Sequence, residues 1–323
     1  MPLLLTEEDV RAILTMPMAL EGVETSFRRL GDRSGVSHPR RRLVIPGQTI
    51  LNYMAASDAA GGYLGLKIYS ISHGRARFVV PLFRAETGEM VALIEADYLG
   101  QMRTGAASGV AAKVMARGDA RAVSIIGTGL QARTQLEAVA TAMKIERIRA
   151  FGRDPQRRET FAKEMTKRLG IPVTPAPSAE EAVRGTDIVI TATNSKTPVL
   201  EGQWVEPGMH VSAIGVNFAE KREIDTETVR RCDVIAADSV EQSKIESGDL
   251  IQAFAGDESR WSTVSEFADI VAGKAAARTS RDQVTLFKSN GIAIEDVVVA
   301  GRVYELAKQR GMGREIPMWQ GEG

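Results

Sequence analysis

The feature that most constrains this chain is a glycine-rich turn at residues 127–132, Gly-Thr-Gly-Leu-Gln-Ala. The apolar run Ala122–Ile126 precedes the turn, and a helical pattern over residues 131–143 and a second apolar run at 148–151 follow it. A G-x-G-x-x-A turn that joins a strand to a helix inside a strand–helix–strand unit has the context that dinucleotide binding requires. The pattern therefore predicts a Rossmann-type unit that binds a nicotinamide cofactor.

Each small residue of the turn has a physical reason. Gly127 permits the tight turn, Gly129 lets the backbone approach a pyrophosphate, and Ala132 allows the helix to pack closely on the strand. The free N–H groups and the positive dipole end of the helix then face the phosphates. The alternative interpretation, a tight turn without a ligand, is disfavoured by the strands on either side.

The choice between NAD and NADP is read at the end of the second strand, where NAD enzymes usually carry an acidic residue. This chain has Phe-Gly-Arg-Asp at 151–154, so Arg153 stands where a 2′-phosphate would lie, and Arg157 and Arg158 add charge. We expect NAD(P)(H), with NADP(H) favoured and NAD(H) not excluded, because Asp154 could serve the ribose instead of capping a helix. The full set of cofactor-binding candidates is Thr104, Gly127, Thr128, Gly129, Leu130, Gln131, Arg153, Thr191, Ala192, Thr193, Gly215, Ser289 and Gly291.

The rhythm of apolar segments divides the 323 residues into two domains. Short strands separated by glycine-rich or polar turns fill residues 42–97, whereas apolar strands alternate with helices after residue 117. The predicted fold class is α/β, a Rossmann-type doubly wound parallel sheet plus a strand-rich α+β substrate and dimerisation domain. We expect residues 1–116 with 297–323 to form the substrate domain and residues 117–296 the dinucleotide-binding domain.

Composition excludes several function classes. Lys and Arg total 41, as do Asp and Glu, so no global field attracts nucleic acid or an anionic membrane. The single cysteine, Cys232, excludes an internal disulfide framework and a cysteine-rich zinc site, and we predict a buried, inert thiol and no metal site. The first residues lack a basic leader and no run is long enough to span a bilayer, so the expected location is the cytoplasm.

Beyond the turn, several segments in order resemble the ornithine cyclodeaminase/mu-crystallin family over nearly the whole chain. They are Pro-Arg-Arg-Arg-Leu-Val-Ile-Pro at 39–46, Gly-Leu-Lys at 65–67, Leu-Gly-Gln-Met-Arg-Thr-Gly-Ala-Ala-Ser at 99–108, Ile-Gly-Val-Asn at 214–217, Lys-Arg-Glu-Ile-Asp at 221–225, and Phe-Lys-Ser-Asn-Gly-Ile-Ala-Ile-Glu-Asp at 287–296.

The resemblance implies a homodimer built through the strand-rich domain, with the active site between the two domains. It also implies that Arg42, Lys67 and Arg103 gather the substrate carboxylate. Charge-assisted hydrogen bonds suit that task, and a lysine desolvated beside two arginines has a lowered pKa and can exchange a proton near neutrality. We expect Arg40 and Arg41 to be surface residues.

One departure from the family pattern decides the expected reaction. Cyclodeaminases of the family have an aspartate where this chain has Asn217, and an amide is a poor general base. Asn217 can still orient an imine nitrogen or a water by hydrogen bonding. Glu223 or Asp225 could in principle replace that base, although Asp225 looks like a helix cap. The predicted catalytic residues are Lys67, Arg103 and Asn217.

We therefore predict an NAD(P)H-dependent reductase of α-imino acids or cyclic ketimines that yields α-amino acids. Pyrroline-2-carboxylate, iminosuccinate and iminopropionate are candidate substrates, and Arg41 and His73 are candidates for binding a second carboxylate. Two alternatives stay open: an ornithine or lysine cyclodeaminase that recycles NAD(H), and a non-catalytic binding protein of the mu-crystallin type.

Overall fold

The computed structural model describes residues 1–318, which form two compact units. The first comprises Met1–Arg103 and the chain from Gly291 onward, and the second comprises Thr104–Asn290. The first boundary lies 13 residues, and the second 6 residues, before the positions expected from the sequence.

Local packing explains the earlier boundaries. The side chain of Gln135 donates to the backbone oxygen of Thr104, and a Cβ on Gly105 would lie 2.4 Å from the oxygen of Thr134, so residues after Arg103 belong with the second unit. Conversely, Gly291 and the following turn make hydrogen bonds to side chains of the first unit.

The first unit is an eight-stranded sheet with helices packed on it. Its strands and helices are β1 (Leu3–Leu5), α1 (Glu7–Ile13), α2 (Met16–Gly31), β2 (Gly35–Ser37), β3 (Arg41–Ile45), β4 (Thr49–Asp58), β5 (Tyr63–Ser72), β6 (Arg75–Arg84), β7 (Met90–Glu95), the beginning of α3 (Asp97–Met115), and, numbered after the elements of the second unit, α11 (Ala293–Arg310) and β16 (Arg314–Glu315).

The sheet order is β16-β1-β7-β6-β5-β4-β2, with β3 also paired to β4. All pairs are antiparallel except that of β1 with β7. The register places Met54 opposite Lys67 and Asn52 opposite Tyr69. Because side chains alternate along a strand, these four share one face of the sheet, and all four are buried.

Helix α11 lies over strands β4, β5 and β6 and against α2. Its side chains from Ala293 to Gly301 are all buried, although the stretch includes Glu295 and Asp296. The approach to α2 is close, since a Cβ on Gly22 would lie 2.8 Å from a methyl group of Val299. The helix thus brings two carboxylates into the interior of the unit, which requires partners for them.

The second unit alternates strands and helices. It contains β8 (Ala122–Ile126), α4 (Leu130–Ala142), β9 (Arg147–Phe151), α5 (Pro155–Leu169), β10 (Val173–Pro175), α6 (Ala179–Val183), β11 (Ile188–Thr191), β12 (His210–Ala213), α7 (Thr226–Arg231), β13 (Val234–Ala237), α8 (Val240–Glu246), α9 (Gly248–Ala253), β14 (Val264–Glu266), α10 (Phe267–Val271) and β15 (Thr285–Lys288).

These strands form one parallel sheet in the order β10-β9-β8-β11-β12-β15-β13-β14. The chain runs outward from β8 to β10 and then returns to the other side of β8 at β11. Ligands of such sheets bind at the carboxyl ends of the strands where the order reverses. The predicted doubly wound parallel sheet is confirmed, as is the separate strand-rich unit.

Local sequence signals mark the first residues of several helices. Thr6 caps α1 with Asp9 as its reciprocal partner, and Asp154 and Ser178 cap α5 and α6. Pro17 lies in the first turn of α2, where its missing N–H costs nothing. Among residues 1–318, no helix is long and apolar enough to cross a bilayer.

Candidate active site

The glycine turn has the geometry expected of a phosphate site. Gly127 has φ +120°, and a Cβ there would lie 2.3 Å from the oxygen of Ala192. Gly129 precedes α4 as its N-cap without a side-chain cap, and a Cβ there would meet nothing within 4 Å. The first turn of α4 carries no acidic residue. Open space before uncapped N–H groups fits the pyrophosphate of a dinucleotide.

Two further loops reach the same edge of the sheet. Thr191 ends β11 opposite Ile126 on one side and Ala213 on the other, so the chain at Ala192–Thr193 and at Gly215 continues beside the glycine turn. A buried carboxylate, Glu223, ties these loops by accepting from the backbone N–H groups of Thr193 and Gly215, both at 2.6 Å.

Glu223 is fully buried and also accepts from the Thr191 hydroxyl at 3.0 Å. Desolvation, and then the nearby Asp249, raise its pKa to about 7. Asp249 in turn accepts from the backbone of Glu223 and pairs with the buried Lys288 at 3.0 Å. Both oxygens of Glu223 are therefore engaged with the loops that it holds, which gives it a structural task rather than that of the missing base.

The second strand of this unit ends in the predicted arginine. Arg153 is exposed, and among the described residues it makes no hydrogen bond or ion pair. Asp154 is the N-cap of α5 and accepts from the backbone of Arg157, whereas Arg158 donates to the oxygen of Gly152. Asp154 thus has the capping role, and Arg153 is the cation with an available guanidinium at this position.

In the first unit, Lys67 and Arg103 converge on α11. Lys67 Nζ donates to Asp296 Oδ1 at 2.7 Å, and Arg103 Nε donates to the same oxygen at 3.0 Å. Arg103 Nη1 also donates to Glu295 Oε2 at 2.8 Å. The four side chains are between 0 and 6% exposed. The structure therefore brings two of the three predicted carboxylate-binding residues together and adds two carboxylates to them.

Arg40 also belongs to this group, contrary to the prediction that it lies on the surface. It is only 5% exposed, donates to the oxygen of Gly291 at 3.0 Å, and lowers the pKa of Lys67 by its charge. Below, the buried ion cluster means Arg40, Lys67, Arg103, Glu295 and Asp296. Burial of Lys67 and the neighbouring Arg103 lower its pKa, Asp296 opposes them, and the result is a pKa of about 8.

Arg42 takes a different place. It is partly buried on β3 and donates from Nε to Asn52 Oδ1 at 3.2 Å. Asn52 is 1% exposed, and its Nδ2 is buried without an acceptor among the described residues. Arg42 thus lies on the same sheet face as Lys67, one strand removed, with its guanidinium held by Asn52.

The structure does not place Arg41 and His73, the expected second carboxylate site, beside Lys67. Arg41 is exposed and pairs with Tyr53, so it points to the sheet face opposite that of Arg42 and Lys67. His73 is exposed in the turn between β5 and β6, six residues from Lys67 and hence about 20 Å along the strand. Within one chain, neither residue shares the sheet position of Lys67.

The remaining candidates fall in several places. Asn217 follows β12 in the second unit and is half-buried, in the loop whose Val216 oxygen accepts from Lys288. Ser289 donates to the buried Asp238. Gly291, a cofactor-binding candidate, groups instead with the first unit, where a Cβ on it would lie 2.6 Å from Arg103. Its carbonyl oxygen also accepts from Arg40, so its local task is to pack against two arginines.

Sequence reasoning missed the partners of the cations. Glu295 and Asp296 lie in the first turn of a long apolar helix. Acidic residues are favourable near a helix N-terminus, so nothing in the sequence pattern indicated a role for them in the site. For Arg40, strand alternation was a usable signal. Arg40 and Arg42 are two residues apart, so their side chains share a face if the strand extends to Arg40. Cys232, predicted to be a buried, inert thiol, is half-buried, and burial raises the pKa of its thiol.

The two units together define a class of protein. A parallel sheet whose phosphate-binding turn lies where the strand order reverses can bind a dinucleotide. A buried lysine beside arginines can bind a small substrate with a carboxylate and exchange a proton with that substrate. Among the described residues, no group of His, Cys, Asp or Glu could hold a metal ion. These features are those of a nicotinamide-dependent oxidoreductase.

Known proteins place the chain more narrowly. It belongs to the ornithine cyclodeaminase/mu-crystallin family, whose family model matches residues 1–311. It is 34% identical over 261 residues to a Δ¹-pyrroline-2-carboxylate reductase of Bacillus cereus, covering 78% of this chain and 80% of the relative.

Solved structures agree with this assignment. The Δ¹-pyrroline-2-carboxylate reductase of Thermococcus litoralis, in complex with NADH and L-proline, superposes with a TM-score of 0.93 at 35% identity, covering 97% of this chain and all of that one. An archaeal alanine dehydrogenase dimer with bound NAD gives a TM-score of 0.92 at 32% identity, covering 98% and 99% of the two chains.

Proposed function

We propose that this chain is an NADPH-dependent reductase of small α-imino acids with a single carboxylate, cyclic ketimines such as pyrroline-2-carboxylate above all. The observation that carries the proposal is the buried ion cluster of the first unit, in a chain whose second unit has a dinucleotide-binding turn. Relatives named for pyrroline-2-carboxylate reduction support the same substrate class.

The charges of the buried ion cluster favour one carboxylate. The cluster contains three cations and the two carboxylates of Glu295 and Asp296, so it has one net positive charge, and all five side chains are buried. One substrate carboxylate balances that charge, and a second would be buried without a partner, which is costly. Arg42 is only partly buried, so solvent shares its charge and it contributes less to this balance.

Reduction of C=N needs a hydride at carbon and a proton at nitrogen. Bound NADPH supplies the hydride. Lys67 supplies the proton from Nζ, since a pKa of about 8 leaves it protonated at neutral pH yet able to release the proton. Arg103 and Arg40 hold the carboxylate, which fixes the α-carbon, and Lys67 regains its proton from water after the product leaves.

Asn217 supports reduction over cyclodeamination. Loss of ammonia needs a base, and the amide of Asn217 cannot take up a proton at neutral pH. Glu223 does not replace it, because both of its oxygens accept hydrogen bonds from the loops around it. Asp225 caps α7.

The preference for NADPH rests on Arg153. Its exposed guanidinium follows β9, where an acidic residue would be needed to bind the ribose hydroxyls of NAD. Asp154 next to it is engaged as a helix cap. A 2′-phosphate accepts bidentate hydrogen bonds from arginine, which favours the phosphorylated cofactor.

A second copy of the chain is part of the proposal. In β3, Leu43, Val44 and Ile45 are 57 to 60% exposed, although successive side chains point to opposite faces of the strand. A strand that is apolar and exposed on both faces needs a cover. We propose that a second copy supplies it through this sheet, as in a homodimer.

The test is one panel of cofactor oxidation at the nicotinamide absorbance band. Each of NADH and NADPH is combined with pyrroline-2-carboxylate, piperideine-2-carboxylate, pyruvate plus ammonia, oxaloacetate plus ammonia, and ornithine. We expect the highest kcat/KM for a cyclic monocarboxylate with NADPH.

Other outcomes would replace the proposal. Ammonia release from ornithine without net cofactor oxidation would identify a cyclodeaminase. Cofactor and substrate binding with no turnover of any compound would identify a binding protein. A preference for oxaloacetate plus ammonia would leave imine reduction in place and contradict only the proposal that the substrate has a single carboxylate.

A further inference from the structure

We infer that Asp296 is a positioning residue that holds Lys67 and Arg103 in one arrangement and maintains the Lys67 ammonium as the proton donor. The inference rests on the proposed function, because it concerns the proton that imine reduction consumes. No part of the sequence pattern assigned a role to Asp296.

The geometry centres on one oxygen atom. Asp296 Oδ1 accepts from Lys67 Nζ at 2.7 Å and from Arg103 Nε at 3.0 Å, while Oδ2 is buried without a hydrogen bond from the described residues. Sharing a single acceptor keeps the two nitrogens within about 6 Å of each other, so the proton donor stays beside the guanidinium that holds the substrate carboxylate. Asp296 therefore fixes the two cations as a pair.

Three elements meet at this oxygen. Lys67 lies on β5, Arg103 on α3, and Asp296 in the first turn of α11. That helix has no side-chain cap, since its N-cap residue is Ile292. The positive end of the helix dipole stabilises a carboxylate here, and the rigid helix holds it in place. A carboxylate anchored in this way can orient a lysine that has four rotatable bonds.

The charges around Lys67 act in opposite directions. Burial removes water from the ammonium, and Arg103 and Arg40 repel it; these effects lower its pKa. Asp296 raises the pKa by its charge and by its hydrogen bond. Phe78 on β6 adds a cation–π contact at 5.3 Å. Without Asp296, the remaining groups would lower the pKa of Lys67 further and reduce the fraction of the ammonium at neutral pH.

Three variants separate this role from a structural one. The pH dependence of kcat and kcat/KM is measured with pyrroline-2-carboxylate and NADPH for the wild type, Asp296→Asn, Arg40→Gln and Glu295→Gln. Activity that needs the Lys67 ammonium falls as pH rises through its pKa, near 8 in the wild type.

We expect Asp296→Asn to move this limb to lower pH by about one unit or more, since a charge partner within hydrogen-bond reach shifts a pKa by that amount. Arg40→Gln removes a like charge and moves the limb to higher pH. Glu295→Gln is the matched control: it removes a neighbouring carboxylate that bonds Arg103, whereas the charges that act most on the pKa of Lys67 are Arg103, Asp296 and Arg40, so the limb stays in place. The titration of the substrate is common to all variants and cancels in the comparison.

A direct measurement makes the inference independent of turnover. Protein labelled with ¹³C at the lysine Cε positions is titrated by NMR, and Lys67→Met assigns the resonance. The Lys67 midpoint should move down in Asp296→Asn, up in Arg40→Gln, and return towards the wild-type value in Asp296→Glu, with melting temperatures recorded as a check on folding.

An unchanged Lys67 midpoint in Asp296→Asn would overturn the inference, as would a loss of kcat at all pH values without a shift. If no compound of the panel is reduced, the proposed function fails while the NMR titration still decides the role of Asp296. If reduction occurs but the limb does not follow the Lys67 midpoint, the inference alone fails.

Discussion

Arg40 and Arg41 are neighbours in the chain but have opposite environments. Arg40 is 5% exposed and bonds the oxygen of Gly291, whereas Arg41 is exposed on the face of β3 that points away from Lys67. The two residues have the same charge and are adjacent in the sequence, so the main difference between them is burial. They therefore form a natural pair for testing whether burial or charge alone recruits an arginine to the substrate.

We expect Arg40→Gln to raise KM for the imino acid about tenfold or more, because it removes a charge-assisted hydrogen bond of about 1.5–3 kcal/mol. Arg41→Gln should leave KM within about twofold, as expected for an exposed charge. Steady-state kinetics at fixed NADPH measures both. Equal effects of the two variants would show that Arg40 acts through general electrostatics and not through contact.

Arg153 is the residue that decides between the two cofactors. We expect Arg153→Gln to raise KM for NADPH by about tenfold and to leave KM for NADH unchanged, since only the phosphorylated cofactor has a group for the guanidinium to bind. Arg157→Gln is the control, because Arg157 is exposed on the same helix end and lies 3.6 Å from Asp154. A similar loss with both cofactors would mean that Arg153 contacts a part that they share.

The glycine turn shows how one element combines folding and binding in separate residues. Gly127 is required by the backbone, because its φ is positive and the oxygen of Ala192 lies where a Cβ would have to fit. Gly129 has an ordinary φ of −85° and faces open space. The first glycine therefore serves the folded chain itself, and the second serves whatever approaches the helix.

We expect Gly127→Ala to lower the melting temperature of the cofactor-free protein by roughly 4 °C or more, because a strained φ and a close contact cost at least about 2 kcal/mol. Gly129→Ala should leave that temperature nearly unchanged and weaken NADPH binding about tenfold by filling the space for the pyrophosphate. Thermal unfolding and fluorescence titration distinguish the two. Loss of stability in Gly129→Ala would contradict this division.

Elements were predictable where the pattern was local. Strand β8 has the bounds that its apolar run predicted, and Asp154 caps α5. Strand β1 was missed because its three leucines are stabilised by pairing with β7, far along the chain. Pro17 could not be assigned from the sequence, since a proline at the second position of a helix and one that ends a helix look alike in sequence.

The candidate site was predictable to the same degree. The glycine turn and Lys67 lie in recognisable local segments, and the cation pair of Lys67 and Arg103 follows from the family resemblance. The carboxylates of Glu295 and Asp296 were not predictable as partners of these cations, because Asp296 and Lys67 are 229 positions apart in the sequence. Only the packing of α11 on the sheet brings them together, and that depends on shape and not on a pattern of residue types.

At the scale of the whole molecule, the notable feature is an apolar strand left uncovered in an otherwise balanced chain. Net charge is zero, so neither global attraction nor repulsion sets the association of copies. Strand β3 instead exposes three consecutive aliphatic side chains, and its neighbour β4 adds Leu51 and Tyr53, each 37% exposed. Covering them with a second copy would remove this apolar surface from water.

The chain offers a matched pair of residues to test that cover. Ile45 on β3 is 57% exposed, and Ile245 on α8 of the second unit is 49% exposed. We expect Ile45→Asp to convert a dimer into a monomer, because a buried, unpaired carboxylate is placed in the proposed contact. Ile245→Asp introduces the same charge outside it and should leave the dimer intact. Light scattering after size exclusion at several concentrations reports the mass directly. A monomeric wild-type protein, or dissociation by both variants alike, would contradict an interface at β3.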